Sequence, residues 1–330
     1  MLDVKDLNIE FHDHLVPETV VHQVNFHMDA GEIVGLVGES GSGKSMTALA
    51  IAGLLSRHDM KKTGEILFEG TDLLHCERSF LRGLQGNDIS VVFQEPMTSL
   101  NPVYRIGWQV EEPLRIHHPE LSAQERKQRA LTLLKQVELE DPERIYQSYP
   151  HQISGGQRQR VMIAAAMICE PKLLIADEPT TALDVTIQEQ ILHLIRDLNR
   201  RLGMSVLFIT HDMGVVSRLC HSVKVMYLGQ VVEEAKTEEL FEHPCHPYTQ
   251  GLLACIPHLR VKRGQELPTI RGTVPSLSHI PKGCHFCTRC AMVDETCKNC
   301  PPPLVEVSPG HKVKCWKYAA GKEEKEVVKV

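Results

Sequence analysis

The chain has 330 residues, enough for one large domain or for one domain with a smaller appendage. Its 42% hydrophobic and 24% charged residues are typical of a folded globular protein, and the net charge of −6 argues against a nucleic-acid binder, which usually has a basic surface. The longest unbroken apolar run, Val161 to Cys169, has about half the length of a membrane span. Because Met1 to Asp6 also lack the layout of a signal peptide, we expect a cytoplasmic chain that needs a membrane-spanning partner for any role at a membrane.

Residues 1 to about 235 alternate strand and helix patterns, which predicts an α/β fold with a largely parallel sheet. Three apolar runs are typical of buried strands: Ile33 to Val37, Leu173 to Ala176 and Val206 to Thr210. A helical insertion, at about 105–165, lies between the first two runs. Each run is followed by polar residues, and ligands of such sheets bind at the carboxyl ends of strands. We therefore expect functional residues directly after these runs.

The clearest helix pattern runs from Asp184 to Leu202, with Gly203 as the predicted C-cap. Its apolar face comprises Ile187, Ile191, Leu194, Ile195, Leu198 and Leu202. Beyond residue 235 the sequence becomes proline-rich and loop-like. This change predicts a domain at 1–235 and a small, loop-rich C-terminal extension at 236–330.

Gly38 to Ser45 match the pattern G-x-x-x-x-G-K-[ST] between a predicted strand and a predicted helix. Glycines in this pattern let backbone N–H groups turn around phosphate oxygens, at a helix N-terminus that already favours anions. Lys44 would reach the β- and γ-phosphates of a nucleotide, and the Ser45 hydroxyl would bind Mg²⁺. The strand-loop-helix setting argues against a chance Gly/Ser turn. The predicted nucleotide-binding residues in this segment are Gly38, Glu39, Ser40, Gly41, Ser42, Gly43, Lys44, Ser45 and Met46.

Two carboxylates, Asp177 and Glu178, follow the apolar run Leu173 to Ala176. Asp177 is placed to hold the water shell of Mg²⁺, and Glu178 to polarise the attacking water. Two acids after a strand are more often a solvated strand end. Together with a phosphate-binding loop, they favour the catalytic interpretation.

The segment that begins Ser154-Gly155-Gly156-Gln157 has the spacing of a capping box, which predicts a helix that starts here. Capping alone would explain Ser154. It would not explain the paired glycines Gly155 and Gly156, because glycine lowers helix stability. We interpret the segment as a second phosphate site.

The order of these motifs resembles that of ATP-binding cassette (ABC) proteins over about 235 residues. Gly38 to Ser45 resemble Walker A, Ser154 to Gln159 resemble the ABC signature, and Asp177 and Glu178 resemble Walker B with its catalytic glutamate. The other matches are Gln94 with the Q-loop glutamine, Ala182-Leu183-Asp184 with the D-loop, His211 with the switch histidine, and Phe11 with the adenine-stacking aromatic, which is more often Tyr.

The resemblance implies a P-loop NTPase cassette with a RecA-like core at 1–235 and a helical subdomain at about 105–165. It implies ATP and Mg²⁺ as cofactors, with Ser45, Gln94 and Asp177 around the metal. It also implies catalytic roles for Glu178, His211 and Gln94. ATP would lie in a head-to-tail dimer, between one P-loop and the signature helix of the partner.

Further stretches resemble the cassettes of oligopeptide, dipeptide and nickel importers, above all Gln94 to Pro102 and His246 to Leu253. That resemblance implies a peripheral ATPase on the cytoplasmic face of the membrane, bound to two transmembrane permease subunits and fed by an extracellular solute-binding protein. It implies a second homologous cassette, in a heterodimer, and it makes Pro96 to Tyr104 the candidate surface for a coupling helix. Peptides are favoured over nickel because nickel-importing relatives are generally shorter and lack the C-terminal cysteine region.

Six of the eleven cysteines lie between Cys284 and Cys315, and in a reducing cytosol such clustering favours metal binding over disulfides. The spacing of Cys284, Cys287 and Cys290 favours a [4Fe–4S] cluster in region 283–316, with zinc as the alternative. The resemblance to the peptide-importer pattern Gly-Cys-x-Phe-x-x-Arg-Cys selects four ligands and leaves two cysteines as possible ones. The four ligands are Cys284, Cys290, Cys297 and Cys315, and the possible ones are Cys287 and Cys300.

Two other classes of function fit parts of the sequence. A soluble ABC ATPase of translation or DNA repair would usually have two cassettes or a long coiled coil, and the sequence indicates neither. A metal-bearing nucleic-acid-binding module is the second class, because Lys312, Lys314 and Lys317 make the cysteine region locally basic. Single charges on a small module are usually solvated, so we expect no nucleic-acid partner.

Overall fold

Two β-sheets organise the chain. The computed structural model describes residues 1–12, 17–55, 59–94, 99–181, 184–256 and 268–319. The strands are β1 (Leu2–Phe11), β2 (Glu18–Met28), β3 (Ile33–Val37), β4 (Met60–Phe68), β5 (Thr71–Asp72), β6 (Ile89–Val92), β7 (Leu173–Asp177), β8 (Ser205–Thr210), β9 (Ser222–Tyr227), β10 (Gln230–Lys236), β11 (Leu304–Ser308) and β12 (His311–Lys314).

The smaller sheet is antiparallel, with the order β2-β1-β4-β5. The larger sheet has eight strands in the order β11-β12-β10-β9-β3-β8-β7-β6. Its strands β9, β3, β8, β7 and β6 pair in parallel, whereas β10, β12 and β11 pair antiparallel at one edge. The prediction of a largely parallel sheet in an α/β fold is therefore confirmed for this central part.

Helices cover the larger sheet and build the insertion. They are α1 (Lys44–Ile51), α2 (Arg78–Leu84), α3 (Ile106–His117), α4 (Ala123–Gln136), α5 (Pro142–Gln147), α6 (Gly155–Met167), α7 (Val185–Leu202), α8 (Met213–Leu219), α9 (Thr237–Glu242), α10 (Pro247–Ala254) and α11 (Glu295–Asn299). Helices α3 to α6 occupy the predicted insertion. Among the described residues, none of the helices has both the length and the apolarity that a membrane crossing needs.

Strand β3 shows why this sequence forms a central strand. All five of its residues are buried, and their side chains alternate between two hydrophobic cores. Ile33 and Val37 pack in the core that includes the helical insertion, whereas Val34 and Leu36 pack in the core shared with the antiparallel sheet. A strand covered on both faces needs a continuous apolar run, which is why β3, β7 and β8 were recognisable in the sequence.

Helix α7 follows its predicted pattern closely. The Asp184 carboxylate accepts a hydrogen bond of 2.9 Å from the Ile187 N–H at the N-terminus, and Gly203 ends the helix with φ of 65°. The apolar face is buried at Ile191 and Leu198 but not at Leu202, which is 42% exposed. The buried face therefore ends one turn earlier than the sequence predicted.

The C-terminal extension contains a hairpin that its loop-like sequence did not predict. Strand β12 pairs with β10, with Glu233 opposite Val313, and β11 pairs with β12. Only His311 and Val313 are buried in β12, and no residue of β11 is. Such a short alternation carries little periodic signal, because an edge hairpin buries few side chains.

Candidate functional site

The P-loop segment runs from the end of β3 to the start of α1. A Cβ atom on Gly38 would lie 2.2 Å from the backbone oxygen of Met226, so this position accepts only glycine. Gly43 is the N-cap of α1 and has φ of 97°, a left-handed conformation that places the following Lys44 in the first helical turn. Strand β9 and the helix start thus shape the loop from two sides.

The Lys44 side chain is folded back onto this loop. Its ammonium donates hydrogen bonds to the backbone oxygens of Gly38, at 2.8 Å, and Glu39, at 3.0 Å. Burial lowers the pKa of Lys44, and the carboxylates of Glu178, Asp177 and Glu39 oppose that effect. A buried cation surrounded by oxygens is held where phosphate oxygens could replace the backbone ones.

Asp177 ends β7 beside the first turn of α1. Its Oδ1 atom is buried and has no hydrogen-bond partner among the described residues. Burial raises the pKa of Asp177, while a hydrogen bond from Ser45 lowers it. A buried carboxylate oxygen without a partner is costly, and a divalent cation would satisfy it. The oxygen donors of Asp177 and Ser45 therefore fit Mg²⁺, a hard cation that prefers oxygen ligands.

Glu178 is the centre of the polar network. It has φ of 45°, an uncommon left-handed conformation for a residue with a side chain. Gln94 Nε2 donates to its Oε2 at 2.9 Å, Thr181 Oγ1 donates to the same oxygen at 2.9 Å, and His211 Nδ1 lies 3.1 Å from its Oε1. Burial alone would raise the pKa of Glu178, but the hydrogen bonds from His211 and Thr181 hold it below its usual range. The carboxylate is therefore ionised and oriented from three directions.

The structure brings together most of the predicted site residues of the core. Asp177 ends β7 and Glu178 follows it, whereas Gln94 and His211 follow β6 and β8, the strands on either side of β7. The carboxyl ends of these parallel strands lie at the same edge as the end of β3. Phe11 ends β1 and lies opposite Glu18 of β2. Strand β2 also passes close to the P-loop, because the backbone oxygen of Val20 would lie 3.1 Å from a Cβ atom on Gly43.

Ser154 to Gln159, the segment that resembles the ABC signature, lie at the start of α6. Ser154 caps α6 through a reciprocal pair of hydrogen bonds with Gln157, of 3.3 and 3.0 Å. Gly156 faces Ile187 of α7, and a Cβ on Gly155 would meet open space. In the part of the chain that the structure describes, no hydrogen bond joins this segment to Gly38 to Ser45. Of the D-loop match, Ala182 and Leu183 lie outside the described residues, and Asp184 caps α7.

The cysteine-rich segment encloses a cavity of about 440 Å³. Five cysteines line it, whereas Cys300 is exposed. The five are Cys284, Cys287, Cys290, Cys297 and Cys315. Burial and, to a smaller extent, the nearby thiols of Cys315, Cys297 and Cys290 raise the pKa of Cys284 to about 12. Electrostatic interactions also link Cys290 with Cys297, and Cys315 with both of them. The four predicted ligands are therefore all mutual neighbours.

A second group of potential ligands, Glu233, Cys245 and His311, is buried between β10, α10 and β12. Among the described residues, these are the only three His, Cys, Asp or Glu side chains whose ligand atoms all lie within 4.8 Å of one another. The Glu233 carboxylate already accepts the backbone N–H groups of Cys245 and His246, at 2.7 and 2.8 Å, and lies 2.8 Å from His311 Nε2. These hydrogen bonds tie strand β12 to β10 and to the residues that precede α10.

The extension also contacts the P-loop directly, which the sequence did not predict. Arg289 donates two hydrogen bonds to the Glu39 carboxylate, of 2.5 and 3.0 Å, and the Glu39 N–H donates to the Tyr248 hydroxyl at 2.8 Å. Phe286 packs edge-on against Tyr227, with ring centroids 5.1 Å apart. Phe286 and Arg289 occupy the Phe and Arg positions of the pattern Gly-Cys-x-Phe-x-x-Arg-Cys, and no local signal indicates that Arg289 has a partner 250 residues away.

Comparisons with known proteins identify the family of the chain. Residues 21–181 match the ABC transporter family, and residues 232–297 match the oligopeptide/dipeptide transporter C-terminal region. The chain is 48% identical over 318 residues to the probable peptide ABC transporter ATP-binding protein y4tR of Sinorhizobium fredii, with 96% of this chain and 95% of that protein covered. It is 47% identical over 317 residues to the oligopeptide transport ATP-binding protein OppD of Bacillus subtilis, with 96% and 88% covered.

Among solved structures, the chain is similar to the dimeric ATP-binding cassette MJ0796 in a post-hydrolysis state bound to ADP and Pi. The TM-score is 0.65 at 32% identity, and the match covers 72% of this chain and 99% of that chain. Taken with the site geometry, these similarities show that the chain belongs to the ATP-binding subunits of ABC transporters, in the group that carries the oligopeptide/dipeptide transporter C-terminal region.

Proposed function

We propose that this ABC ATPase powers the import of oligopeptides or dipeptides. The observation that carries the catalytic part is the Glu178 carboxylate, which is ionised and held by Gln94, Thr181 and His211 next to the P-loop. The peptide part rests on the C-terminal region at 232–297 and on relatives named for peptide and oligopeptide transport.

In the proposed reaction, Glu178 polarises the water that attacks the γ-phosphate of ATP. Lys44 neutralises the β- and γ-phosphates after it leaves the backbone oxygens of the loop. His211 and Gln94 orient Glu178 and the attacking water through the contacts described above. Backbone N–H groups between Gly38 and Ser45 bind phosphate oxygens, and Phe11 stacks on the adenine.

Ser45, Asp177 and Gln94 would hold Mg²⁺ through their side-chain oxygen atoms. The buried Asp177 Oδ1 that lacks a protein partner supports this assignment most directly. The ion would supply positive charge for the β- and γ-phosphates. With the ion bound, the buried Asp177 oxygen would no longer be without a partner, so nucleotide and metal should bind cooperatively.

We propose that a second cassette completes the ATP-binding site. Ser154, Gly155, Gly156 and Gln157 have no hydrogen bond to the P-loop of the same described chain, and Gly155 faces open space, which supports a role toward a partner's nucleotide. The dimeric cassette bound to ADP and Pi is a precedent for such an assembly. The proposed partner is a homologous cassette in a heterodimer, with Asp184 near the dimer interface.

The proposed assembly places the chain peripherally on the cytoplasmic face of the membrane. Two permease subunits and an extracellular solute-binding protein complete it. Exposed aromatic residues support a docking surface for a permease coupling helix: Tyr104 is 44% exposed and stacks on Trp108, which is 38% exposed, with ring centroids 4.5 Å apart. Val103 is 72% exposed beside them. Of the predicted surface at Pro96 to Tyr104, Pro96, Met97 and Thr98 lie outside the described residues.

A [4Fe–4S] cluster is the proposed occupant of the cysteine cavity, held by Cys284, Cys290, Cys297 and Cys315. The volume of the cavity and the mutual proximity of these thiols support it. In a zinc site, tetrahedral bonds of about 2.3 Å bring four sulfurs to roughly 3.8 Å from one another. No three of the described cysteines have sulfurs within 4.8 Å of one another, which favours the larger cluster over one zinc ion.

Two experiments separate the proposed function from its rivals. Purification of the chain from its native membranes should recover integral membrane permease subunits, and deletion of its gene should abolish uptake of labelled di- or oligopeptides. If nickel uptake fell while peptide uptake did not, the substrate assignment would be wrong and the nickel-importer alternative correct. Recovery with ribosomes or DNA and without membrane proteins would favour a soluble ABC ATPase or a metal-bearing nucleic-acid-binding protein.

A further inference from the structure

The P-loop of this chain contains an acidic side chain where an anion has to bind. Glu39 follows Gly38 directly, and its carboxylate is near enough to the Lys44 ammonium to oppose the lowering of the Lys44 pKa. A carboxylate close to the ammonium that meets the phosphates also repels the phosphates of a nucleotide, because charges interact strongly in a partly buried site. The loop therefore needs a compensating charge.

Arg289 supplies that charge from the C-terminal extension. Its guanidinium forms a bidentate pair with Glu39, and its side chain is only 4% exposed. The planar fork of arginine matches a carboxylate in both charge and geometry, so the pair fixes the direction of the Glu39 side chain as well as its charge.

Other contacts hold the two residues of this pair in place. The Arg289 Nε donates to the backbone oxygen of Arg271 at 3.0 Å, which anchors the guanidinium within the extension. The backbone N–H of Glu39 donates to the buried hydroxyl of Tyr248, and the backbone oxygen of Glu39 accepts from the Lys44 ammonium. The backbone of Glu39 is thus held by α10 on one side and by Lys44 on the other.

We infer that Arg289 is a positioning residue for ATP binding, which neutralises the Glu39 carboxylate and fixes the direction of that side chain beside the P-loop. The extension is then part of the nucleotide site, although no residue of it needs to touch ATP. This inference rests on the proposal that Gly38 to Ser45 bind the phosphates.

The test compares the affinity of the purified full-length chain for Mg-ATP among variants. Arg289→Met leaves Glu39 as an uncompensated negative charge, so ATP should bind about tenfold more weakly. Adding Glu39→Gln to that variant removes the repulsion and should restore the affinity to that of Glu39→Gln alone. Lys298→Met is the matched control, because Lys298 is an exposed cation of the same extension that pairs with Glu295 at the surface.

The rescue distinguishes a positioning role from a merely structural one, since a damaged fold would not recover when a second charge is removed. Unchanged affinity in a folded Arg289→Met variant, or no rescue by Glu39→Gln, would overturn the inference. If Arg289→Met does not fold, Glu39→Gln alone decides: it should bind ATP at least as tightly as the wild type, and weaker binding would overturn the inference. Lys44→Ala separates the two proposals, because equal affinity of Lys44→Ala and the wild type would refute the nucleotide site itself.

Discussion

The imidazole Nδ1 of His211 lies 3.1 Å from Oε1 of Glu178, so residues that follow two neighbouring strands meet at one carboxylate. Gln94 and Thr181 bind the other oxygen of Glu178. Protein groups alone therefore hold the carboxylate in one orientation. A preorganised group of this kind accelerates a reaction because it does not have to be ordered during the chemical step.

The first prediction concerns Glu178 itself. Glu178→Gln keeps the size and the hydrogen-bonding oxygen of the side chain but removes its charge, so ATP should bind normally while hydrolysis slows by roughly 10²–10⁴-fold. The variant should also accumulate as an ATP-bound dimer with its partner cassette. Single-turnover hydrolysis and size-exclusion chromatography with ATP measure both effects. Lys44→Ala is the contrasting variant and should already fail to bind nucleotide. Normal turnover in Glu178→Gln would refute the catalytic role of Glu178.

The second prediction concerns His211, whose side chain is 61% exposed despite its contact with Glu178. His211→Ala should lower the hydrolysis rate by roughly 10²-fold, because Glu178 loses one of the groups that orient it. The affinity for ATP should stay close to that of the wild type, since His211 contacts the carboxylate and not the P-loop. The matched control is His193→Ala, at an exposed position of α7 away from the site. A comparable loss of ATP affinity in His211→Ala would contradict this division of roles.

Contiguous motifs were predictable because their chemistry and their local structure lie in the same few residues. Gly38 to Ser45 combine a buried strand, glycines for the turn and a helix start, and each of these has its own sequence signal. Asp177 and Glu178 were recognisable because the apolar strand β7 precedes them. The hydrophobic period of α7 predicted the helix, and Gly203 predicted its C-cap.

The contacts between distant parts of the chain were not predictable. Arg289 meets Glu39 across 250 positions, and nothing within either segment indicates the other. The hairpin of β11 and β12 attaches to β10 through backbone pairing and two buried side chains, His311 and Val313, which leaves almost no periodic pattern in the sequence. Such contacts depend on how complete elements pack, and a single sequence contains that information only indirectly.

The third prediction concerns the pH dependence of stability through His311. Burial opposes its charged form, yet hydrogen bonds to Cys245 and Glu233 raise the pKa of His311 to about 10 from the usual 6.5. Glu239 faces the other ring nitrogen, and Tyr318 adds to the charge interactions around Cys245. Because the folded pKa is the higher one, protonated His311 contributes its full stabilisation below pH 6.5 and loses it as the pH rises towards 10.

His311→Gln should therefore lower the free energy of unfolding by roughly 3–5 kcal/mol near pH 6, as expected when one partner of a buried pair is removed. The difference from the wild type should shrink steadily between pH 7 and about pH 10, in urea unfolding followed by circular dichroism. His75→Gln is the control, because His75 is 68% exposed beside Asp72 and its loss should cost little at any pH. A gap between His311→Gln and the wild type that stays constant with pH would contradict the charged pair.

The fourth prediction concerns the cysteine cavity. Anaerobically purified protein should contain iron and sulfide in equal amounts and show the brown absorption of an iron–sulfur cluster. Cys290→Ser should lose both, because Cys290 is a neighbour of Cys284, Cys297 and Cys315 in the cavity. Cys300→Ser should retain both, because Cys300 is exposed and does not line the cavity. The two variants differ only in the position of the lost thiol, so general damage by serine would affect both.

Cys287 is the more demanding case, because it lines the cavity without being one of the four proposed ligands. Its thiol interacts electrostatically with Cys290, but the peptide-importer pattern gives it no ligand position. Cys287→Ser should therefore keep its iron and sulfide, with at most a small shift of the absorption band. Loss of the cluster in Cys287→Ser but not in Cys290→Ser would exchange the two residues in the ligand set. One zinc ion per chain and no sulfide in the wild type would reject the cluster and leave the same four thiolates around zinc.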